Sequence, residues 1–152
     1  MTSLWVDTFG ALQLRSQKAT VSHFPTQHAK ELFVFLLLNP YLKHTRLKII
    51  ALLWPDASES QGRGCLNTEL WRLRSLLREL AVPADEILQT NRDFISFLPG
   101  ESVVIDFEQF KMLLNLAAAA PDSETEETIL GKAMALYKGD FCRGYFLRLV
   151  RH

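Results

Sequence analysis

The stretch "RGCLNTELWRLRSLLREL", residues 63–80, has the apolar spacing of an amphipathic helix. On a helical wheel with Arg63 at zero, five leucines fall between about 260° and 340°. Cys65 and Leu76 lie near about 200° to 220°. Together these residues form the predicted core face. Its five leucines are Leu66, Leu70, Leu73, Leu77 and Leu80.

The opposite arc of this helix, from about 0° to 180°, contains no aliphatic residue. Four arginines lie there against a single acid, Glu79, which falls in the last turn. Trp71 is near the middle of the arc, where a large aromatic ring gains nothing from water. Many charged helix faces are simply solvated, but the indole argues against that: it either packs under a neighbouring element or contacts a partner. The arc holds Arg63, Gly64, Asn67, Thr68, Trp71, Arg72, Arg74, Ser75, Arg78 and Glu79.

The charge balance of the chain tests this idea. Its 152 residues include 17 Lys and Arg and 17 Asp and Glu, so the net charge is zero. Nucleic-acid affinity comes largely from neutralised phosphates, so a neutral chain has to concentrate its cations locally. Lys plus Arg against Asp plus Glu is 11 against 9 in residues 1–100 and 6 against 8 in residues 101–152. The arc of residues 63–80 supplies the required local concentration.

Several functional classes are not expected. The longest apolar run, "LFVFLLL" at residues 32–38, is far shorter than the roughly 20 residues of a membrane span. The N-terminus lacks a secretion signal, and Cys65 and Cys142 read as reduced thiols of a cytoplasmic protein. The four histidines are scattered, and no phosphate-binding glycine loop, HExxH or nucleophile elbow is present. We therefore expect no catalytic residues, no metal, no cofactor and no membrane association.

Short β-compatible runs in the first 24 residues predict a small antiparallel sheet. Pro25 then opens a first helix, which Asn39-Pro40 ends. Thr45 is a suitable N-cap for a second helix, "RLKIIALLW", which Pro55 ends. The polar segment "PDASESQG", residues 55–62, is predicted to be the loop before the third helix.

Beyond the third helix, residues 87–88 and 94–98 predict a β-hairpin with its turn at residues 91–93. A helix pair joined by a short loop and followed by a hairpin is typical of a winged helix-turn-helix, with the third helix as reader and the hairpin as wing. The predicted fold class is α+β. It combines an N-terminal antiparallel sheet, three helices and a C-terminal hairpin wing with an appended helical segment.

The segment "LLLNPYLKHTRLKIIALLWPDASESQGRGCLNTELWRLRSLLREL", residues 36–80, resembles the DNA-binding domain of the AfsR/DnrI-like antibiotic-regulatory activators, the SARP family. The winged helix of that family is of the OmpR type. "LQTNRDFISFLPG" resembles its wing, and "VVIDFEQFKMLL" and "KAMALYKGDF" resemble the opening helices of its TPR-like bacterial transcriptional activator domain. The resemblance covers residues 4–146. Its marks are "LLL" before Asn39-Pro40, the helix start Thr45-Arg46-Leu47, the stop Leu53-Trp54-Pro55-Asp56, and Arg72-Leu73-Arg74.

The resemblance implies a third helix in the major groove, with Arg72 and Arg74 contacting DNA. Guanidinium groups suit this role because they pair with phosphate or with the guanine edge. Asn67 is expected to contact adenine or phosphate, and Arg63 and Gly64 to meet a phosphate at the helix start. The remaining expected DNA-binding residues are Thr45, Lys43 and Arg46 across the groove, Arg92 at the wing tip near the minor groove, and Thr68, Trp71 and Arg78 on the arc.

Two residues depart from the family pattern. Glu69 stands where the family often has a neutral or basic residue. The wheel places it at about 240°, beside the core face, where it is expected to cap or pair internally. Trp71 replaces a smaller or basic residue, so it either contacts a thymine methyl or a sugar, or blocks close docking.

The C-terminal third has a different character. Residues 101–131 contain seven acids and one base, Lys111, and two helices are predicted around Pro121-Asp122. We predict a winged-helix domain at 1–100 and the beginning of a helical activator domain at 101–152. A TPR repeat takes about 34 residues and stable stacks need about three. Either the two helices pack back on the winged helix, or the chain is a fragment of a longer regulator, which is the favoured expectation.

These observations predict a sequence-specific DNA-binding transcriptional regulator, an activator that binds double-stranded DNA as a homodimer. The resemblance further implies that the loop 55–62 touches RNA polymerase, as the equivalent loop does in similar proteins. The alternative is a winged helix that does not bind DNA and uses Trp71 as an anchor for a protein partner.

Overall fold

The computed structural model describes residues 3–137, and within them the N-terminal runs form the predicted antiparallel sheet. Its first strands are β1 (Leu4–Asp7), β2 (Gln13–Arg15) and β3 (Thr20–Val21). β2 pairs antiparallel with both β1 and β3. Leu4, Val6 and Leu14 alternate along β1 and β2 and are buried, so one face of the sheet covers the core.

The first two helices begin and end near the predicted signals. α1 spans Gln27–Leu38, and the hydroxyl of its N-cap, Thr26, accepts a hydrogen bond from the backbone N–H of Ala29. β4 (His44–Thr45) leads into α2 (Arg46–Leu53), whose N-cap is Thr45, as predicted. The Thr45 hydroxyl accepts from the backbone N–H of Lys48 at 3.2 Å.

The third helix, α3, spans Glu59–Glu79 and starts before Arg63. The prediction of a loop across residues 55–62 is therefore wrong, because residues 59–62 form the first turn of the helix. Ser58 is the N-cap, and its side chain and that of Gln61 form a capping box. This reciprocal pair satisfies two free backbone N–H groups, which outweighs the polar, loop-like composition. The core face is confirmed, with Leu66, Leu70, Leu73, Leu76, Leu77 and Leu80 buried.

α2 and α3 approach closely at Gly62. A Cβ atom at this position would lie 2.2 Å from Cγ2 of the buried Ile50 side chain. At Gly64, half a turn further along α3, a Cβ would meet no atom within 4 Å. The helix-turn-helix packing therefore needs glycine at position 62 and not at position 64.

Gly62→Ala is expected to lower the free energy of unfolding by about 1–2 kcal/mol, because the β-branched Ile50 has little room to move. Gly64→Ala should raise it by about 0.5–1 kcal/mol, because alanine is the better helix former. Urea unfolding of both variants followed by circular dichroism measures the difference. Equal effects of the two substitutions would contradict the close packing at Gly62.

The wing follows a short helix, α4 (Ala84–Ile87), which the sequence did not predict. β5 (Leu88–Thr90) and β6 (Phe94–Phe97) form the hairpin, and β4 pairs with β6 on the other side. The Asn91 side-chain oxygen accepts from the backbone N–H groups of Asp93 and Phe94, which fixes the turn. The predicted hairpin, and with it the α+β winged helix-turn-helix fold, is confirmed.

The chain then returns to the N-terminal sheet. β7 (Val103–Ile105) pairs parallel with β1, so the strand order is β3-β2-β1-β7. β7 lies beyond residue 100, where the first predicted domain ended, so the sheet takes residues from both predicted segments. The division into 1–100 and 101–152 stays a prediction.

Two helices follow β7, as the sequence predicted: α5 (Asp106–Ala118) and α6 (Ser123–Leu136). They pack against each other. The Asp106 carboxylate accepts from the backbone N–H groups of Thr8, Phe9 and Phe107 and from the Thr8 hydroxyl. The ring of Phe9 lies 5.3 Å from that of Phe110 and 5.4 Å from that of Tyr137. These contacts hold the helical segment against the end of β1.

Candidate nucleic-acid interface

The polar arc of α3 faces solvent within the described part of the chain. Trp71 is 65% exposed, and Gly64, Asn67, Thr68 and Arg78 are exposed as well. Arg63, Arg72 and Arg74 are half-buried. Neither α5 nor α6 covers this surface. We call these eight residues the α3 face; they are Arg63, Gly64, Asn67, Thr68, Trp71, Arg72, Arg74 and Arg78.

Arg72 is held on one side of the α3 face. Its Nη1 lies 2.6 Å from Oε1 of Glu69, whose side chain is buried. Oε2 of Glu69 accepts a hydrogen bond of 2.6 Å from the hydroxyl of Thr26. Glu69 therefore pairs internally, as its wheel position indicated, and ties α3 to the start of α1.

Arg74 turns in the opposite direction, toward the wing. Its Nη2 donates to the hydroxyl of Thr90 in β5, and its buried Nε lies 3.6 Å from Oδ1 of Asp85. Arg78 reaches the same carboxylate, with 3.3 Å between Nη2 and Oδ1. The two arginines of Arg72-Leu73-Arg74 thus turn in different directions, Arg72 toward Glu69 of the same helix and Arg74 toward the wing. Trp71 is left between them as an exposed large apolar side chain.

Arg46, the first residue of α2, connects α3 with the wing. Its Nη1 donates to the side-chain oxygen of Asn67 and its Nε to the backbone oxygen of Asn91, both at 2.9 Å. Burial, followed by repulsion from Arg63 and Arg74, lowers the pKa of Arg46 below its ordinary value. Arg63 and Arg74 both contribute to this lowering, so the guanidinium of Arg46 lies in a locally positive environment. An anion placed among them would relieve that repulsion.

The remaining predicted residues form either local contacts or none with other described residues. Arg63 pairs with Glu59 at 3.3 Å, and the Thr68 hydroxyl donates to the backbone oxygen of Gly64. Thr45 uses its hydroxyl as the cap of α2. Lys43 and Arg92 are exposed in the loop before β4 and in the wing turn. Neither forms a hydrogen bond or ion pair with another described residue.

Four residues that set the geometry of this surface were not among the predicted site residues. Thr26 lies 43 residues before the carboxylate that it reaches. Asp85 belongs to the short α4, and Thr90 and Asn91 belong to the wing. Each of these four residues contacts an arginine, or the acid paired with an arginine, from a different secondary-structure element. Helical periodicity describes only one helix at a time, so it could not reveal these contacts.

Asp85 competes for two arginines of the α3 face, and its own side chain is largely exposed. Asp85→Asn should therefore raise affinity for duplex DNA about twofold to fivefold at low salt, because one competing anion is removed. Fluorescence anisotropy with a labelled duplex measures the change. Asp56→Asn, in the loop before α3, removes the same charge away from these arginines and should leave the affinity nearer the wild-type value.

Within residues 3–137, no helix is long and apolar enough to cross a membrane. The same residues contain no group of three or more His, Cys, Asp or Glu side chains arranged to hold a metal ion. The α3 face consists of four arginines, one amide, one hydroxyl, one indole and a glycine, which suits recognition of an anionic or hydrogen-bonding surface.

Comparison with known proteins supports the fold. No protein-family profile and no curated protein sequence matches the chain. Among solved structures, the chain is similar to EmbR of Mycobacterium tuberculosis in complex with a low-affinity phosphopeptide, with a TM-score of 0.80 and 19% sequence identity. The match covers 96% of this chain and 39% of the EmbR chain. The two chains share an α+β winged-helix architecture across nearly all of the present sequence, which spans well under half of the length of EmbR.

Proposed function

We propose that the chain is the DNA-binding part of a transcriptional regulator, an activator, which recognises a specific sequence in double-stranded DNA. α3 enters the major groove and the wing approaches the minor groove. The main support is the α3 face, where Trp71 and Asn67 lie exposed between arginines that are anchored on both sides. An α-helix of about 10–12 Å diameter fits the roughly 12 Å width of the major groove.

The fold adds independent support. The structural similarity to EmbR agrees with the SARP-like fold that the sequence resemblance implies. In a fold of this type the third helix is the reader, and here it carries the exposed indole. The net charge of zero does not oppose the proposal, because Arg63 and Arg74 both act electrostatically on Arg46 and the three form a local concentration of positive charge.

Within this proposal the residues divide into two groups. Asn67, Thr68, Trp71, Arg72, Arg74 and Arg78 face base edges, which carry the sequence information. Phosphates are contacted by Lys43, Thr45 and Arg46 on one side and by Arg63 with the backbone of Gly64 on the other. Arg92 extends from the wing turn toward the minor groove.

The test begins with selection of binding sites from random duplexes, because the operator follows from that experiment. Arg72→Ala should then weaken binding to the selected duplex by about 1–3 kcal/mol, the usual cost of a lost base contact. Lys111→Ala removes an exposed cation from α5 and serves as the control. Equal binding by wild type and both variants, or no enriched sequence, would contradict the proposal.

The exposed Trp71 also supports a second candidate, a winged helix that binds a protein partner through the indole. The two functions differ in the effect of Trp71→Ala. If Trp71 contacts DNA, the affinity for the selected duplex should fall while the salt dependence stays the same, since no charge is lost. If the chain binds protein instead, duplex binding is weak before the substitution, and capture of a protein partner is lost after it.

We also propose a contact between the segment 55–62 and RNA polymerase. Glu59 is a poor residue for testing it, because its carboxylate pairs with Arg63 of the α3 face. Asp56 is exposed in the loop that remains, residues 55–58. Asp56→Ala should abolish activation in a reporter assay while DNA affinity is retained. Unchanged activation would remove this part of the proposal.

Two further parts of the proposal concern assembly and location. Two copies are proposed to bind neighbouring half-sites in the cytoplasm, because one small winged helix covers few base pairs. Analytical ultracentrifugation of the chain with a duplex carrying two selected half-sites should give a complex of two chains per duplex. A single chain bound at saturation would contradict the dimer.

A further inference from the structure

A line of three side chains runs from the start of α1 to the α3 face. The Thr26 hydroxyl donates to Oε2 of Glu69, and Nη1 of Arg72 donates to Oε1, each at 2.6 Å. Glu69 is only 5% exposed, whereas the Arg72 side chain keeps 35% of its surface in solvent. A buried carboxylate therefore holds the inner edge of a guanidinium whose outer edge faces the candidate DNA surface.

The position of Glu69 needs an explanation. Burying a carboxylate is unfavourable unless it is paired and hydrogen-bonded. An acid beneath a DNA-facing helix also repels phosphates, so by charge alone Glu69 weakens duplex binding. A leucine at this place would avoid both costs. The acid is thus explained best by what it does to Arg72.

We propose that Glu69 is a positioning residue that fixes the guanidinium of Arg72 for reading the duplex. This inference rests on the proposed DNA-binding function. With Nη1 bound to Glu69, the Nε and Nη2 groups of Arg72 donate to no other described residue and remain for a base edge. A side chain ordered before binding loses less conformational entropy when the complex forms.

Thr26 extends the arrangement to a second helix. Its hydroxyl oxygen also accepts from the backbone N–H of Ala29, so the residue is held as the N-cap of α1. The orientation of Arg72 is therefore set by the start of a helix that lies behind the reading surface. The Thr26, Glu69 and Arg72 side chains act as one unit, in which only Arg72 meets DNA.

The test measures affinity for a selected duplex and for a random duplex in wild type, Glu69→Gln and Glu79→Gln. Glu79 is exposed in the last turn of α3, so its substitution removes the same charge without touching Arg72. Glu79→Gln should raise both affinities alike. Glu69→Gln should raise affinity for random DNA but lower that for the selected duplex by about threefold to tenfold, part of the full value of an arginine–base contact.

A double-mutant cycle shows whether Glu69 acts through Arg72. In an Arg72→Ala background, Glu69→Gln should leave the ratio of selected to random affinity unchanged. The thermal midpoint of each variant separates a loss of folding from a loss of discrimination. Thr26→Ser keeps the hydroxyl and should retain the wild-type ratio.

If Glu69→Gln does not fold, one measurement on the wild-type protein tests the same inference. Nitrogen-15 relaxation of the arginine Nε–H groups should show Arg72 more ordered than the exposed Arg92 in the absence of DNA. Equal disorder in the two would overturn the inference. Equal increases in affinity for both duplexes in Glu69→Gln and Glu79→Gln would also overturn the inference, but they would leave the proposed function intact. A wild-type chain that binds no duplex would overturn the proposed function and this inference together.

Discussion

Asp106→Ala is expected to lower the free energy of unfolding by about 3–5 kcal/mol, because several charge-assisted hydrogen bonds to a part-buried carboxylate are lost together. Its carboxylate accepts from the backbone N–H groups of Thr8, Phe9 and Phe107 and from the Thr8 hydroxyl. Thr8 has no exposed surface, so its two donors would have no water to replace the lost acceptor. The substitution also frees the first turn of α5 from the end of β1.

Chemical unfolding followed by tryptophan fluorescence measures this loss. Asp122→Ala is the matched control, because Asp122 caps α6 through the backbone N–H of Thr125 but does so in full contact with solvent. It should lower the free energy of unfolding clearly less than Asp106→Ala does, because it removes only one exposed N-cap. Comparable costs for the two substitutions would show that Asp106 is an ordinary cap and does not hold the helical segment to the sheet.

Arg46→Ala is expected to weaken binding to the selected duplex by about 1–3 kcal/mol, or roughly fivefold to 150-fold. The substitution removes a phosphate contact, releases the side chain of Asn67 and frees the wing turn at Asn91. It also removes the group that Arg63 and Arg74 repel. The salt dependence of binding should fall by about one contact.

Two further variants separate the possible causes of the lower duplex affinity of Arg46→Ala. Arg46→Lys keeps the charge but not the two-sided hydrogen bonding, so it should retain the salt dependence and recover only part of the affinity. Arg15→Ala removes an arginine that pairs with Asp7 in the N-terminal sheet, away from the α3 face. It should change duplex affinity little. A loss as large as that of Arg46→Ala would mean that total charge, and not this cluster, governs binding.

Local patterns in the sequence predicted much of the fold. The leucine spacing of residues 63–80 identified the buried face of α3, and Thr45 and the wing turn were found from their local chemistry. These features depend on neighbours within a few residues. The start of α3 was missed because a polar segment hid the capping box of Ser58 and Gln61. β7 was missed because three residues that pair with a strand about 100 positions earlier have no local signature.

The candidate site was predicted less completely, for a related reason. Periodicity placed Arg72 and Arg74 on the polar arc, but it could not tell which neighbours lie beside that arc. The structure turns Arg72 toward Glu69 and Arg74 toward the wing, and it leaves Trp71 between them. The link from Arg46 to Asn67 likewise depends on how α2 and α3 cross, which Gly62 permits.

Binding of a DNA duplex by the α3 face and the surrounding cations is tested by the dissociation constant of the wild-type chain for the selected duplex, measured across a series of salt concentrations. Five to eight phosphate contacts predict that the logarithm of the association constant falls against the logarithm of salt concentration with a slope of about −4 to −7. A slope near zero, or no saturable binding at low salt, would contradict the account.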